Sequence, residues 1–396
     1  SIDSINSINR MLNALTIDLE DYFQVHAFSS VVRFEDWDNY ESRIERNTHR
    51  LLEILKESSI GHRAERIANE LTPPAPDLLP LTSNLQPEAL NFLPQTSNLK
   101  PQTFAKATFF CLGWVAERYP NLIKEIQHRG HEIACHGYSH KLIYTQSRDE
   151  FREDVRKAKA ILEDITGDEV VGYRAPSYSI TNRSRWAFEV LMEEGFKYDS
   201  SIFPIHHDFY GFPRAPRFPF VISTNGDCNF KFQISDFKLK QTQSSVSSIN
   251  STNPMNPNNP VTPNLTACAS RLTSDGTLVE FPLSTVRIFG ANLPVAGGGY
   301  FRLLPYSLIK KGLRRINDEE KQPFVFYIHP WELDPDQPRL NSVSFRSRFR
   351  HYVNLQKTES RFKKLLSDFN FCSIREVLKL NRPNKLNERQ RVGTVA

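Results

Sequence analysis

Short apolar, β-rich runs recur along the chain at Ala14–Asp18, Ala107–Leu112, His131–Cys135, Val170–Tyr173, Leu278–Phe281 and Phe324–Ile328. Between them the spacing turns helical. Phe151, Val155, Ala158, Leu162 and Ile165 recur at three- and four-residue steps, and Gly167 supplies the stop. Pro120 opens a second helical pattern through Leu122, Ile123 and Ile126, which Gly130 closes. Strands that are apolar almost throughout, alternating with helices, predict a parallel sheet covered by helices, open or closed into a barrel.

Two stretches break this rhythm. Residues 73–102 are rich in Pro, Ser, Asn and Thr, and PLTSNLQP at Pro80 returns as PQTSNLKP at Pro94; two copies are too few for a solenoid. Residues 241–275, centred on SSVSSINSTNPMNPNNPVTPN, offer almost nothing to bury. Both are expected to be disordered polar insertions in one domain spanning residues 11–380. Residues 1–10 are expected to form a polar extension and residues 381–396 a polar tail. What remains, roughly 300–320 residues, suits a single α/β barrel with extra loops.

Composition narrows the function classes. Hydrophobic residues are 39% and charged residues 24% of the 396, enough for a sizeable core. The net charge of +5 is spread along the chain with both signs interleaved, so no nucleic-acid partner is expected. The five cysteines form no CxxC pair, which argues against a zinc ribbon or a disulfide framework. No apolar run reaches a membrane span and the first 25 residues lack a signal-peptide pattern, so a soluble, cytoplasmic protein is expected.

In parallel α/β folds, ligands sit at the carboxyl ends of strands. The polar residues there are Asp18, Glu20 and Asp21 in TIDLEDYF, His136 and His140 in HGYSH, Arg174 in YRAPS, Asp199 in YDSS and His329 in YIHPWE. Metal-assisted hydrolysis needs this inventory: imidazoles and a carboxylate for a cation, a second carboxylate to take a proton from water, and another His to return one. Singly, each has a bland reading. His136 and His140 share one face of a helical turn but also recur by chance; a lone Asp caps a turn, His329 packs in a core, and Arg174 pairs with a structural carboxylate. Their joint placement at strand ends favours chemistry.

TIDLEDYF, ATFFCLGWVAERYP, GHEIACHGYSH, GYRAPSYSIT, YDSSIFP, GGGYFRLLP and FVFYIHPWELDPDQPR, in this order, resemble the polysaccharide deacetylases of carbohydrate esterase family four, the NodB-homology domain. They are most similar to the subgroup associated with exosortase and exopolysaccharide systems. The resemblance implies a distorted (β/α) barrel of about seven parallel strands that removes N-acetyl groups from an N-acetylhexosamine-containing polysaccharide or its precursor. It implies Asp18 as general base, His136 and His140 as ligands of a divalent metal, most simply Zn, and Arg174 as the residue that fixes the base. It further implies a backbone N–H at Ser177 for the oxyanion, His329 as general acid, and Asp199 as the group that orients His329.

The chain departs from the family at Leu19, where the commoner form has a second Asp and where Leu cannot bind a cation. Glu20, two positions after Asp18 and on the same strand face, is then the candidate carboxylate ligand, with Asp21 the alternative. Tyr22, Tyr178, Tyr300 and Trp331 are candidate sugar-stacking surfaces. Two other functions compete with the deacetylase: hydrolysis of a ureide or cyclic amide on the same barrel, and non-catalytic glycan binding. The intact acid and base argue against the second.

Overall fold

The computed structural model describes residues 11–71, 105–207, 210–224, 230–233, 276–340 and 342–380. The expected extension, the two insertions at 73–102 and 241–275, and the tail lie outside the described residues. In chain order the strands are β1 Leu12–Leu19, β2 Thr108–Cys111, β3 Glu132–Cys135, β4 Gly172–Tyr173, β5 Tyr198–Asp199, β6 Phe220–Thr224, β7 Phe230–Gln233, β8 Thr277–Glu280, β9 Thr285–Ile288, β10 Ala291–Pro294, β11 Val325–Ile328 and β12 Asn370–Cys372. The helices that position the site are α1 Ile44–Leu71, α2 Gly113–Arg118, α3 Pro120–His128, α4 Arg148–Thr166, α5 Ala187–Glu193, α6 Gly298–Leu303, α7 Tyr306–Arg314, α8 Phe345–Tyr352 and α9 Leu355–Asp368.

Seven strands run parallel in the order β11-β1-β2-β3-β4-β5-β8, with β6 and β7 added antiparallel beyond β8. Every one of the six apolar runs read from the sequence is a strand of this arc. The arc bends toward closure because the segment after β8 spans from its far side back to β11. Leu283 N–H donates to Ile202 O at 2.9 Å, Ser284 Oγ accepts from Val325 N–H at 2.8 Å, and Gly297 forms a parallel bridge to Tyr327. A side chain at Gly297 would place Cβ 1.9 Å from the Tyr327 carbonyl oxygen, so this contact explains a glycine of the GGGYFR run. The result is the distorted (β/α) barrel.

Burial sorts the strands as the parallel arrangement requires. From Asn13 to Leu19, β1 is buried at every position, because helices cover one side and the barrel interior the other. Helix α4 begins with a capping box, Ser147 with Glu150, and ends at Gly167 in the left-handed conformation, burying Phe151, Val155, Ala158 and Leu162. Cys111, Cys135 and Cys372 are buried and free; Cys228 and Cys268 lie outside the described residues.

One contact ties this packing to the loop after β3. Asp154 of α4 is half-buried and accepts from Tyr138 N–H at 2.9 Å and from Ser139 Oγ at 3.3 Å. Gly137 at φ +75° lets the loop approach, since a Cβ there would lie 2.7 Å from Asp154 Oδ2. Removing the carboxylate leaves two half-buried donors without this partner, at about 1 kcal/mol or somewhat more each. Asp154→Ala should therefore lower the unfolding free energy by roughly 2–3 kcal/mol in a denaturant titration. A loss below about 0.5 kcal/mol, the scale of a bland surface change, would show that the loop does not depend on α4.

Candidate active site

Asp18 is the penultimate residue of β1, and its side chain faces the barrel top while Leu19 enters the core. Glu20 N–H bonds back to Asp18 O at 3.0 Å, a tight turn that holds the Glu20 side chain over the same opening. Asp21 faces elsewhere. Its carboxylate accepts from Tyr22 N–H, Ser42 Oγ and Arg43 N–H at 2.9, 2.9 and 2.7 Å, anchoring the turn to the entry of α1. Burial pushes the Asp21 carboxyl up to about 6 against these bonds.

His136 follows β3 directly, and His140 comes at the end of the loop pinned by Asp154. The four-residue spacing does not form a helical turn. Gly137 and His140 both take left-handed φ values, +75° and +55°, so a tight loop folds the second imidazole back onto the first. A non-glycine residue at positive φ is a strained conformation that functional sites concentrate. Carboxylate and imidazole ligand atoms of Glu20, His136 and His140 lie within 4.8 Å of one another, all buried.

The donor set fits a divalent cation. His136 Nδ1–H donates to the Arg174 carbonyl at 2.7 Å, which leaves Nε2 as the free lone pair. Burial and the neighbouring His140 lower His136 to about 4 despite the carboxylates, so its ring is neutral, as a ligand must be. Glu20 Oε2 is buried without a hydrogen bond of acceptable geometry although His140 Nε2 is 2.9 Å away. Burial works to raise Glu20, but His140, His329 and His136 outweigh it and hold the carboxylate at about 2. Acceptor atoms converging in a buried space without donors between them are the arrangement a cation stabilises.

Arg174, after β4, has no exposed surface. Its Nη1 bonds Asp18 Oδ1 at 2.7 Å and Thr16 Oγ1 at 2.8 Å, while Nε and Nη2 bond Ser200 O and Ser200 Oγ at 3.0 and 2.9 Å. Tyr178 OH adds a 3.4 Å bond to Asp18 Oδ2. Ser177 and Tyr178 both sit at positive φ, 51° and 56°, and both line the cleft.

His329, after β11, places Nε2 3.3 Å from Glu20 Oε1 and 3.8 Å from Asp18 Oδ2. Its Nδ1 bonds Glu332 Oε1 at 2.7 Å, and Glu332 Oε2 accepts from Arg302 Nε at 2.6 Å. Burial opposes protonation of His329, but the Glu20, Glu332 and Asp18 carboxylates outweigh it and raise the ring to about 9. Trp331 stacks on His329 and on His351, with centroids 5.1 and 4.1 Å apart, which locks the imidazole plane.

Two sequence-based expectations are corrected. Asp199 does not orient His329: on β5 it stands in register with Glu280 of β8, accepts from Ser201 Oγ at 2.5 Å, and shares its buried environment with the Glu280 carboxyl. Burial raises both groups, so the pair holds a proton behind Arg174. Glu332, three residues after His329 in a short turn, takes the expected place; the HPWE spacing, with a Glu at the third position, was its sequence signal. Tyr22 is no sugar platform, because it is 1% exposed and packs edge-on against Phe23 in the core. Tyr178, Tyr300 and Trp331 do line the cleft, a cavity of about 560 Å³ that also contains Asp18, Glu20, His136, His140 and His329. His207 and His351 line it as well.

Comparison with known proteins follows this geometry. A family profile described as "Polysaccharide deacetylase" matches residues 90–192, which include His136, His140, Arg174 and Ser177. A second, "Domain of unknown function (DUF3473)", matches residues 247–379, which include Arg302, His329 and Glu332. A peptidoglycan deacetylase of Helicobacter pylori is 34% identical over 103 residues, 26% of this chain and 33% of that protein. A peptidoglycan-N-acetylglucosamine deacetylase of Bacillus cereus is 40% identical over 85 residues, 21% of this chain and 31% of the relative. The chain thus spans about a third of the length of these curated relatives. A solved Mycobacterium smegmatis structure assigned as a polysaccharide deacetylase superposes with a TM-score of 0.46 at 15% identity, covering 94% of this chain and 93% of that one. By its matched segment and curated relatives, the chain carries a polysaccharide deacetylase domain of the NodB-homology, carbohydrate esterase family four type.

Proposed function

We propose that the protein is a metal-dependent hydrolase that removes N-acetyl groups from hexosamine units of a polysaccharide or its precursor. The observation that carries this reading is the convergence of Glu20, His136 and His140 beside a separate proton pair, Asp18 and His329, in one cleft. Glu20, His136 and His140 would hold the cation, Zn being the simplest choice for two imidazoles and a carboxylate with a position left open. Bound there, a cation supplies acidification of a water and polarisation of the acetyl oxygen.

The chain's own residues do the rest. Arg174 holds the Asp18 carboxylate in place, so that Asp18 accepts the proton of the attacking water as its oxygen bonds to the acetyl carbon. The Ser177 N–H is assigned to the oxyanion that develops on the acetyl oxygen. As the C–N bond breaks, His329 delivers its proton to the sugar nitrogen and acetate leaves with the water oxygen. Glu332 holds His329 with Nε2 toward the cleft, and Arg302 holds Glu332. Base and acid thus have separate electrostatic environments, an arginine for one and a carboxylate for the other.

We take residues 11–380 as the catalytic unit, with 73–102 and 241–275 as loops inserted in it. The motif resemblance supports exopolysaccharide assembly as the setting, and the free, buried Cys111, Cys135 and Cys372 support a reducing, cytoplasmic one.

Acetate release from N-acetylhexosamine oligomers, measured after chelation and after adding Zn or Co, tests the reading. Activity should vanish and return with metal; no acetate from any oligomer with metal-loaded protein would overturn it. Glu20→Gln should lose bound metal and activity together, whereas Asp21→Asn should keep metal stoichiometry and lose stability, read by elemental analysis and melting. Metal retained by Glu20→Gln would move the third ligand elsewhere. Glu332→Gln removes a carboxylate that raises His329, so the acid should deprotonate earlier. The alkaline limb of the kcat/KM profile should move down by roughly one pH unit, about 1.4 kcal/mol of lost interaction, with the acidic limb unmoved. An unshifted alkaline limb would separate Glu332 from proton delivery.

A further inference from the structure

The rim of the cleft carries charge that the deacetylation chemistry does not use. Residues 337–358 contain Arg339, Arg346, Arg348, Arg350 and Lys357 and no Asp or Glu. Within this stretch α8, FRSRFRHY, exposes Arg346, Arg348 and Arg350 together with Phe345 and Phe349, which are 83% and 50% exposed. Among the described residues none of these three arginines is in an ion pair, although the surface elsewhere is laced with such pairs. Arg346 and Arg350 are four residues apart, where like charges repel and weaken a helix. Placement in the last turn favours Arg350 through the helix dipole but gives no reason for Arg346.

The helix belongs to the cleft. Ser347, Phe349 and Arg350 line the same cavity as Asp18 and His329. Burial and the Tyr300 hydroxyl push the Tyr210 phenol up, and the charge of Arg350 opposes them, so the guanidinium is felt across the opening. The carboxylates lining the cavity among the described residues are Asp18 and Glu20, both buried at its floor and both engaged with Arg174 or histidines. The floor is therefore committed internally while the rim presents unneutralised positive charge beside an exposed aromatic ring. A neutral hexosamine polymer would leave that charge without a partner.

Resting on the deacetylase reading, we propose that the substrate is an acidic glycan: an N-acetylated hexosamine sits over Asp18 and His329, and a neighbouring carboxylate-bearing sugar unit pairs with Arg350 and Arg346. Phe349 supplies a stacking face for that unit. Arg–carboxylate pairs are directional as well as attractive, so the rim selects which acetylated sugar reaches the floor. An anionic membrane surface would also attract Arg and Phe, but the placement of Phe349 and Arg350 inside the catalytic cleft favours the glycan.

The test compares an oligosaccharide of alternating N-acetylglucosamine and glucuronate with its carboxyl-reduced counterpart. Direct binding is measured by calorimetry alongside acetate release, for the full chain and for the Arg346→Gln/Arg350→Gln variant. The unmodified protein should bind the acidic oligomer at least about tenfold more tightly, the preference should fall as salt rises, and the double variant should lose it. Equal binding of the two oligomers, or a preference that survives in the variant, overturns the proposal whatever the acetate assay gives. Binding to phosphatidylglycerol vesicles with no discrimination between the oligomers also overturns it and assigns α8 to a membrane. Discrimination without acetate release from either oligomer would instead sustain the rim assignment and sink the deacetylase reading.

Discussion

The buried Arg174 governs the top of the barrel. Its side chain joins the ends of β1 and β5 through Asp18, Thr16 and Ser200, and its ring-facing charge lies 4.2 Å from the centre of Phe110. Its own carbonyl oxygen accepts from His136 Nδ1–H. One residue thus fixes the Asp18 carboxylate with its side chain and the His136 imidazole with its backbone. A guanidinium without exposed surface is tolerable only when each donor is matched; deleting one partner of such a pair costs about 3–5 kcal/mol because the other charge stays buried. Geometry of the site and stability of the fold are therefore coupled at this position.

Around that anchor the carboxylates are divided by their partners. Asp18 faces an arginine, and Glu20 faces three histidines that hold its carboxyl at about 2 against burial. Asp199 and Glu280 face each other without an adequate supply of donors, and retain a proton between them. Glu332 lies between His329 and Arg302 and is held below the usual carboxylate range by both, against burial. Residues of one chemical type are thus pushed in opposite directions by what surrounds them.

Much of this was legible in the sequence because it is local. The six apolar runs, the capping glycines of the helices, and the polar residues at strand ends are short-range signals, and the structure puts them where the alternation demanded. What failed was long-range or directional. β5 is two residues long, too short for a pattern, and the Asp199 side chain is committed by a register partner some 80 residues away at Glu280. Tyr22 adjoins Asp21 in sequence, yet the turn at Glu20 sends it into the core. The choice between Glu20 and Asp21 required the turn itself, and the HGYSH spacing suggested a helix where Gly137 and His140 make a left-handed loop. Glu332 could have been read from HPWE, because a bond from residue i to i+3 needs no tertiary information.

The central claim is that the ends of β1 and β3 present Glu20, His136 and His140 to one cation. Diffraction from crystals grown with Zn, recorded on both sides of the zinc absorption edge, locates that cation directly. The account predicts a single strong anomalous peak in the cleft, about 2.0–2.2 Å from a Glu20 oxygen and from one nitrogen of each imidazole, with Asp18 and His329 outside bonding distance. A peak held by Asp21 or by the Asp199–Glu280 pair, or a cleft without one at saturating zinc, would contradict it.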